Sequence, residues 1–176
     1  MRESPFAYNL MVTSYRVEDF FHKPGKQLLD FGIRKGDTVV DYGCGPGRYL
    51  KTASDLVGPG GRVYAADISL IAMDHVQKKI RHERLSNIIP YLIEGNACGI
   101  PGGCADVAYA LDMFHRVEDT EAFFGELRRI LKDTGTLYLE DGHQPRPATL
   151  EKVRASSLWE IAGEEPGYVK LKPLLQ

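Results

Sequence analysis

Three cysteines in 176 residues, Cys44, Cys98 and Cys104, are too few and too odd in number for a disulfide framework, which suits a reducing compartment. No CxxC pair and no neighbouring histidine completes a soft-metal ligand set around "CGIPGGC", so no metal is expected and these cysteines read as small buried hydrophobes. Charge of one sign is missing as well: 22 Lys and Arg against 24 Asp and Glu leave a net charge of -2, with no basic stripe for a polyanion. Nucleic acid is therefore not an expected partner. Long apolar runs are also absent. The opening segment "MRESPFAYNLMVTSYRVEDFF" is broken by Arg2, Glu3, Arg16, Glu18 and Asp19, so it lacks the core of a signal peptide or membrane span, and a cytoplasmic protein is expected.

What is present is a hydrophobic content of 43%, enough for one domain over 1–176 that buries about two-thirds of its unfolded surface. The strand Thr38 to Tyr42 runs into a glycine-rich turn, and Arg48 to Val57 reads as a helix. "RVYAAD" is a second strand, followed by a helix with Ser69 as N-cap and Leu70, Met73, Val76 and Ile80 on one face. "IIPYLIEG", "DVAYAL" and "GTLYLED" supply further strands. The helix "TEAFFGELRRILK" precedes the last of these, with Phe123, Phe124, Leu127, Ile130 and Leu131 inward. This alternation predicts an α/β, Rossmann-like doubly wound sheet of about seven strands, mostly parallel, with ligands at the carboxyl ends of the strands. After the helix "PATLEKVRASS", the segments "LWEIAGE" and "YVKLKPL" are linked only by "EPG" and predict an antiparallel hairpin. The expected organisation is a helical cover over 1–35, a ligand-binding core over 36–142, and a helix plus hairpin over 143–176.

The turn "DYGCGPG" has glycines at Gly43, Gly45 and Gly47, spaced GxGxG and not the GxGxxG of dinucleotide folds. Asp41 ahead of it would repel a phosphate and attract an ammonium or sulfonium. Asp67 ends the second strand about 20 residues beyond the turn, the offset of a carboxylate that accepts from ribose hydroxyls. On "DYGCGPG", "VYAADIS", "EGNACGIP", "DVAYALDMFHRVED" and "ELRRILKDTGTLYLED", in that order, the chain resembles the class I S-adenosylmethionine-dependent methyltransferases, and within them the quinone-biosynthesis type. The resemblance implies S-adenosylmethionine as cofactor and S-adenosylhomocysteine as product. It assigns Asp41, Gly43 and Gly45 to the methionine end and Asp67 to the ribose. Ile68 would lie on the adenine face, Asn96 and Ala97 along its edge, and Leu111 near the sulfonium.

Methyl transfer from a sulfonium needs positioning more than it needs a metal. A base matters only for a protonated acceptor, and Asp112, His115 and His143 are the candidates near the strand ends, with Tyr15 and His22 able to approach from the N-terminal cover. Strand four ends in "LDMFHR" and not in Asn/Asp-Pro-Pro-Tyr, and no Pro-Cys pair is present, so the expected acceptor is a small molecule. Tyr8 to Phe21, "HRVED" and "DGHQPRP" are expected to roof it, or a second subunit of a homodimer. A non-catalytic cofactor-binding module stays open as the alternative. A nicotinamide reductase is opposed by Asp41 and the glycine spacing.

Overall fold

The β-branched pair Val39 and Val40 lies in an interior strand of a seven-stranded sheet in the computed structural model, which describes residues 25–95 and 98–175. In chain order the elements are β1 (Thr38–Tyr42), α1 (Leu50–Val57), β2 (Arg62–Asp67), α2 (Leu70–Glu83), β3 (Ile88–Leu92), β4 (Ala105–Ala110), α3 (Thr120–Ile130), β5 (Leu131–Leu139), α4 (Arg146–Ala155), β6 (Trp159–Glu165) and β7 (Tyr168–Pro173). The strands lie in the order β3-β2-β1-β4-β5-β7-β6. β1 to β5 pair in parallel, and β7 is antiparallel to both β5 and β6. The doubly wound sheet and the terminal hairpin are both present, and β7 is inserted between β5 and the edge strand β6.

Period-2 alternation divides the strands between two cores. On one side Val39, Val63, Ala65, Val107, Tyr109 and Tyr138 pack with α1, α2, Leu28 and Phe31. On the other, Val40, Tyr42, Ala66, Ala108, Leu137 and Leu139 meet Phe123, Phe124 and Leu127 of α3 and Val153 of α4. Each fully buried side chain of this size contributes about 1.5–3 kcal/mol. Phe31 stacks on Tyr138 at 4.0 Å and lies 6.0 Å from Tyr109, so a line of rings backs the strands on the α1 side.

Several boundaries differ from the sequence reading. Helix α1 begins at Leu50 and not Arg48, because Gly47, at φ 82, keeps the chain in turn geometry through Tyr49. Ser69 caps α2 as expected, its hydroxyl accepting from Ala72 N–H at 3.3 Å. The buried seam of α2 is Ala72, Met73 and Val76. Leu70, expected inward, is 72% exposed, since it stands in the first turn, past the last β2–β3 pair of Asp67 with Leu92. Leu131 is buried as expected but opens β5, and a bulge separates its pairing with Ala105 from that of Thr136 with Val107. Cys44 is buried, whereas Cys98 and Cys104 are half-buried, and all three are free thiols. Between Gly25 and β1 the expected cover consists of a 3-10 turn, Lys26–Asp30. Tyr8 to Phe21, with Tyr15, and His22, Asn96 and Ala97 lie outside the described residues. Among the described residues no helix is long and apolar enough to cross a membrane.

Candidate functional site

β1 carries its acid into the protein interior. Asp41 is 1% exposed and sits in register with Ala65 of β2 and Tyr109 of β4, so its carboxyl and the Tyr109 phenol share the α1-side core. Asp41 Oδ2 and the Tyr109 hydroxyl are both buried without a hydrogen bond of ordinary geometry among the described residues, although the phenol is near enough to favour the carboxylate. Burial dominates: it pushes the Asp41 pKa up to about 8, opposed by the Tyr109 hydroxyl and reinforced by the charge of Asp67. An acid left in this condition costs stability and needs a partner from outside the fold.

The glycine turn follows directly on this strand. Gly43, at φ 81, and Cys44 both donate to Ala66 O, at 2.7 and 3.0 Å, tying the turn to the end of β2. Gly45, at φ 51, donates to Asp67 Oδ2 at 2.8 Å, while Asp67 Oδ1 accepts from Ser69 N–H at 2.8 Å. One carboxylate thereby joins the glycine turn to the start of α2. A side chain at Gly45 would meet nothing within 4 Å, so the backbone there faces open space. Beside it Ile68 is 74% exposed, an apolar face at the mouth of the turn. Gly43 is covered differently: a Cβ added there would come within 2.8 Å of the Met113 side chain.

The fit to known proteins matches this arrangement. Residues 40–139 match the family model described as a methyltransferase domain. The chain is 30% identical over 134 residues to nocamycin O-methyltransferase of Saccharothrix syringae, covering 76% of this chain and 48% of that protein. It is 29% identical over 126 residues to the ubiquinone/menaquinone biosynthesis C-methyltransferase UbiE of Klebsiella pneumoniae, covering 69% of this chain and 49% of that one. A crystal structure of a SAM dependent methyltransferase from Aquifex aeolicus superposes with a TM-score of 0.82 at 24% identity, covering 98% of this chain and 100% of that one.

The chain belongs to the class I S-adenosylmethionine-dependent methyltransferases. It spans about half the length of the curated relatives it matches. S-adenosylmethionine is the methyltransferase cofactor, and the residues present suit it: a buried acid with one oxygen unsatisfied among the described residues for a cation, an open glycine backbone, a second carboxylate at the turn and an apolar rim.

The remaining predicted residues of this methyltransferase-family domain gather at the ends of β4 and β5. Leu111 follows β4 and is buried in the α1-side core. Asp112, at φ 54, occupies the left-handed region, which costs a non-glycine residue about 1 kcal/mol and marks a position held by its surroundings. The rings of His115 and His143 meet edge to face with centroids 4.7 Å apart, and His143 Nε2 stands 4.0 Å from Asp112 Oδ1. The three candidate bases thus form one cluster. His115 turns its Nδ1 edge towards Gly142, and that nitrogen is buried without a partner among the described residues; burial and then His143 lower its pKa. Among the described residues no group of three or more His, Cys, Asp and Glu could hold a metal.

Sequence reasoning missed Tyr109, Met113 and Glu140. Glu140 could have been flagged by the signal that marked Asp41 and Asp67, an acid ending a buried apolar strand, in "LYLED". A second missed network braces the loop between β3 and β4. Glu126 Oε1 accepts from Cys98 N–H at 2.8 Å, and Arg129 donates to Glu126, to Cys98 O at 3.2 Å and to Ile100 O at 2.9 Å. A surface cavity of about 610 Å³ beside Gly103, Arg128, Arg129 and Lys132 lies towards the amino ends of β4 and β5, away from the glycine turn. Its three cations are paired with Asp133, Glu126 and Asp106.

Proposed function

We propose that this domain moves a methyl group from S-adenosylmethionine to a small organic acceptor by in-line displacement. The observation that carries the reading is the buried carboxyl of Asp41, with one oxygen unsatisfied among the described residues, just ahead of an open glycine turn that is bonded to a second acid, Asp67. Bound there, the cofactor supplies a methyl group on a positively charged sulfur. Asp41 would hold the cationic methionine end, Asp67 would accept from the ribose hydroxyls, and Ile68 would lie against the adenine. The backbone at Gly45 can be approached closely because no side chain stands over it. Asp112, His115, His143 and Glu140 border the space in which the acceptor is positioned, and positioning supplies much of the acceleration in such a transfer.

The relatives' names, an O-methyltransferase of nocamycin and a C-methyltransferase of ubiquinone and menaquinone biosynthesis, support a small organic acceptor. The near-neutral charge of the chain supports the same class over nucleic acid. Titration calorimetry with S-adenosylhomocysteine tests cofactor recognition: saturable binding is expected, with no heat from NAD. Incubation with methyl-labelled cofactor and a small-molecule extract tests turnover. Binding without any transfer would leave a cofactor-binding module in place of an enzyme.

A further inference from the structure

Glu140 is one residue beyond β5, and its backbone N–H donates to Ala110 O at 3.1 Å, clamping it to the end of β4. The backbone N–H of Asp112 lies close enough to its carboxyl to favour the charged form. Asp112 presents that N–H from a left-handed conformation. Glu140 Oε2 is buried and has no donor among the described residues. The charged groups around it are Asp112 and Asp141, Arg48 from the glycine turn, and the neighbouring phenol of Tyr49. Arg146 is committed to Asp141, at 2.7 and 2.9 Å. A buried oxygen that its own fold leaves without a donor is suited to a donor brought by a ligand.

We propose that Glu140 Oε2 receives the proton of a hydroxyl-bearing acceptor, a phenol or an enol, bound at the carboxyl ends of β4 and β5. The proposal rests on the methyltransferase reading above and adds the chemical class of the acceptor. As the acceptor's O–H bond breaks, the proton passes to Oε2 and the electron pair stays on the acceptor, shared between oxygen and the conjugated carbon. Either atom can then form the bond to the methyl carbon while sulfur keeps the pair of the broken C–S bond. One carboxylate in this place therefore serves O- and C-methylation alike; after C-methylation of a phenol, the hydrogen left on the methylated ring carbon passes to water as the ring regains its aromaticity, and the oxygen takes up a proton in its place. Burial, chiefly, raises the pKa of Glu140 and makes it a stronger base. The histidines are worse placed: the unpartnered Nδ1 of His115 lies against the Gly142 backbone, and His143 points largely into solvent.

The test is equilibrium binding of 1-naphthol and of 1-methoxynaphthalene, which has no proton to give, to the protein saturated with S-adenosylhomocysteine. The wild type is expected to bind the naphthol about ten- to a hundredfold more tightly, the range of a hydrogen bond to a charged group. Glu140→Gln should reduce that preference to about threefold or less, Glu140→Asp should retain part of it, and neither should change affinity for S-adenosylhomocysteine. Equal binding of the two probes by the wild type, binding of neither, or an undiminished preference in Glu140→Gln overturns the proposal. The wild-type comparison decides even if the variants do not fold. Failure of the wild type to bind S-adenosylhomocysteine is a separate result and removes the methyltransferase reading instead.

Discussion

Two carboxyl groups are buried almost equally in this domain and are treated in opposite ways. Asp41, at the carboxyl end of β1, is 1% exposed and has an oxygen without a partner; Glu126, in the middle of α3, is 6% exposed and accepts from Cys98 and Arg129. Burial alone would raise both pKa values. At Glu126 the bonds from Arg129 and from the Cys98 backbone and thiol outweigh burial and hold the pKa below its usual value, whereas at Asp41 burial wins. A fold that can satisfy an interior acid completely does so where the acid serves the scaffold. The acid left wanting stands just ahead of the open glycine turn. The difference separates architecture from binding site more cleanly than burial or position does.

The strongest way to break this comparison is to remove the partner of the satisfied acid. Arg129→Ala leaves Glu126 buried without its cationic partner, held only by Cys98, and about 3 kcal/mol of unfolding free energy should be lost, measured by urea titration at neutral pH. Because the Glu126 pKa is lowered in the folded state, its paired contribution is present above the unfolded value of 4.5 and is lost as pH falls through the folded one. The gap between variant and wild type should therefore close in acid. A gap as wide at pH 3 as at pH 7 would show that Arg129 acts through packing and not through the pair.

The next effect is smaller and has two signs. The folded protein keeps the Asp41 proton up to about pH 8, while the unfolded chain releases it near 3.8, so between these values folding takes up a proton and stability falls as pH rises. Below 3.8 the penalty is absent. Asp41→Asn should raise the melting temperature of the free protein at pH 8 by an amount worth about 2 kcal/mol and have little effect at pH 4. The same variant should bind S-adenosylmethionine more weakly by about 1–3 kcal/mol, since a charge-assisted hydrogen bond is lost. Binding by the wild type should release a proton near neutral pH, seen as a dependence of the calorimetric heat on the buffer's ionisation enthalpy. Stability and affinity that fall together would make Asp41 a structural residue like Glu126.

That contrast also marks where the sequence was readable. Asp41 stood out because it ends an apolar run just before the glycines, and Asp67 because it closes the next strand at the offset of a ribose-binding acid, while the alternation of "TVVDY", "RVYAAD" and "DVAYAL" with amphipathic helices placed the sheet and its ligand end. The hairpin was legible because "EPG" is too short for a crossover. The Asp41–Tyr109 neighbourhood depends on the β1–β4 register, a pairing across 68 residues that no local pattern encodes. The brace of Glu126 and Arg129 onto Cys98 and Ile100 is hidden for the same reason, since in sequence it is only a charged pair on a helix. Leu70 was misread because periodicity names a face but not how far the neighbouring strands extend beneath it. Asp112, His115 and His143 were chosen for lying after β4 and β5 and do meet there. Glu140, between those segments, was passed over as the end of a strand.

A helix cap lies between these extremes. Ser69 Oγ accepts from Ala72 N–H, and Ser69 N–H donates to Asp67. Ser69→Ala keeps the backbone bond to Asp67 and removes only the hydroxyl, so about 1 kcal/mol of stability should be lost with affinity for S-adenosylhomocysteine changed less than twofold. A large loss of affinity would mean that the cap positions Asp67 as well as α2.

The smallest effect tests whether carboxylate pairing matters without burial. Lys51 and Asp55 form an ion pair one turn apart on α1, and their side chains are 51% and 63% exposed. Water already solvates both charges, and holding two long side chains together costs entropy that offsets the attraction. Asp55→Asn should change stability by no more than about 0.5 kcal/mol, and added salt should leave even that difference smaller. The same removal of charge at Asp41 is expected to raise the stability of the free protein, so the pair of variants compares one chemical change in two environments. A loss at Asp55 as large as that of Arg129→Ala would mean that pairing itself, and not desolvation, governs the acids of this domain, and the distinction between Asp41 and Glu126 would lose its physical basis.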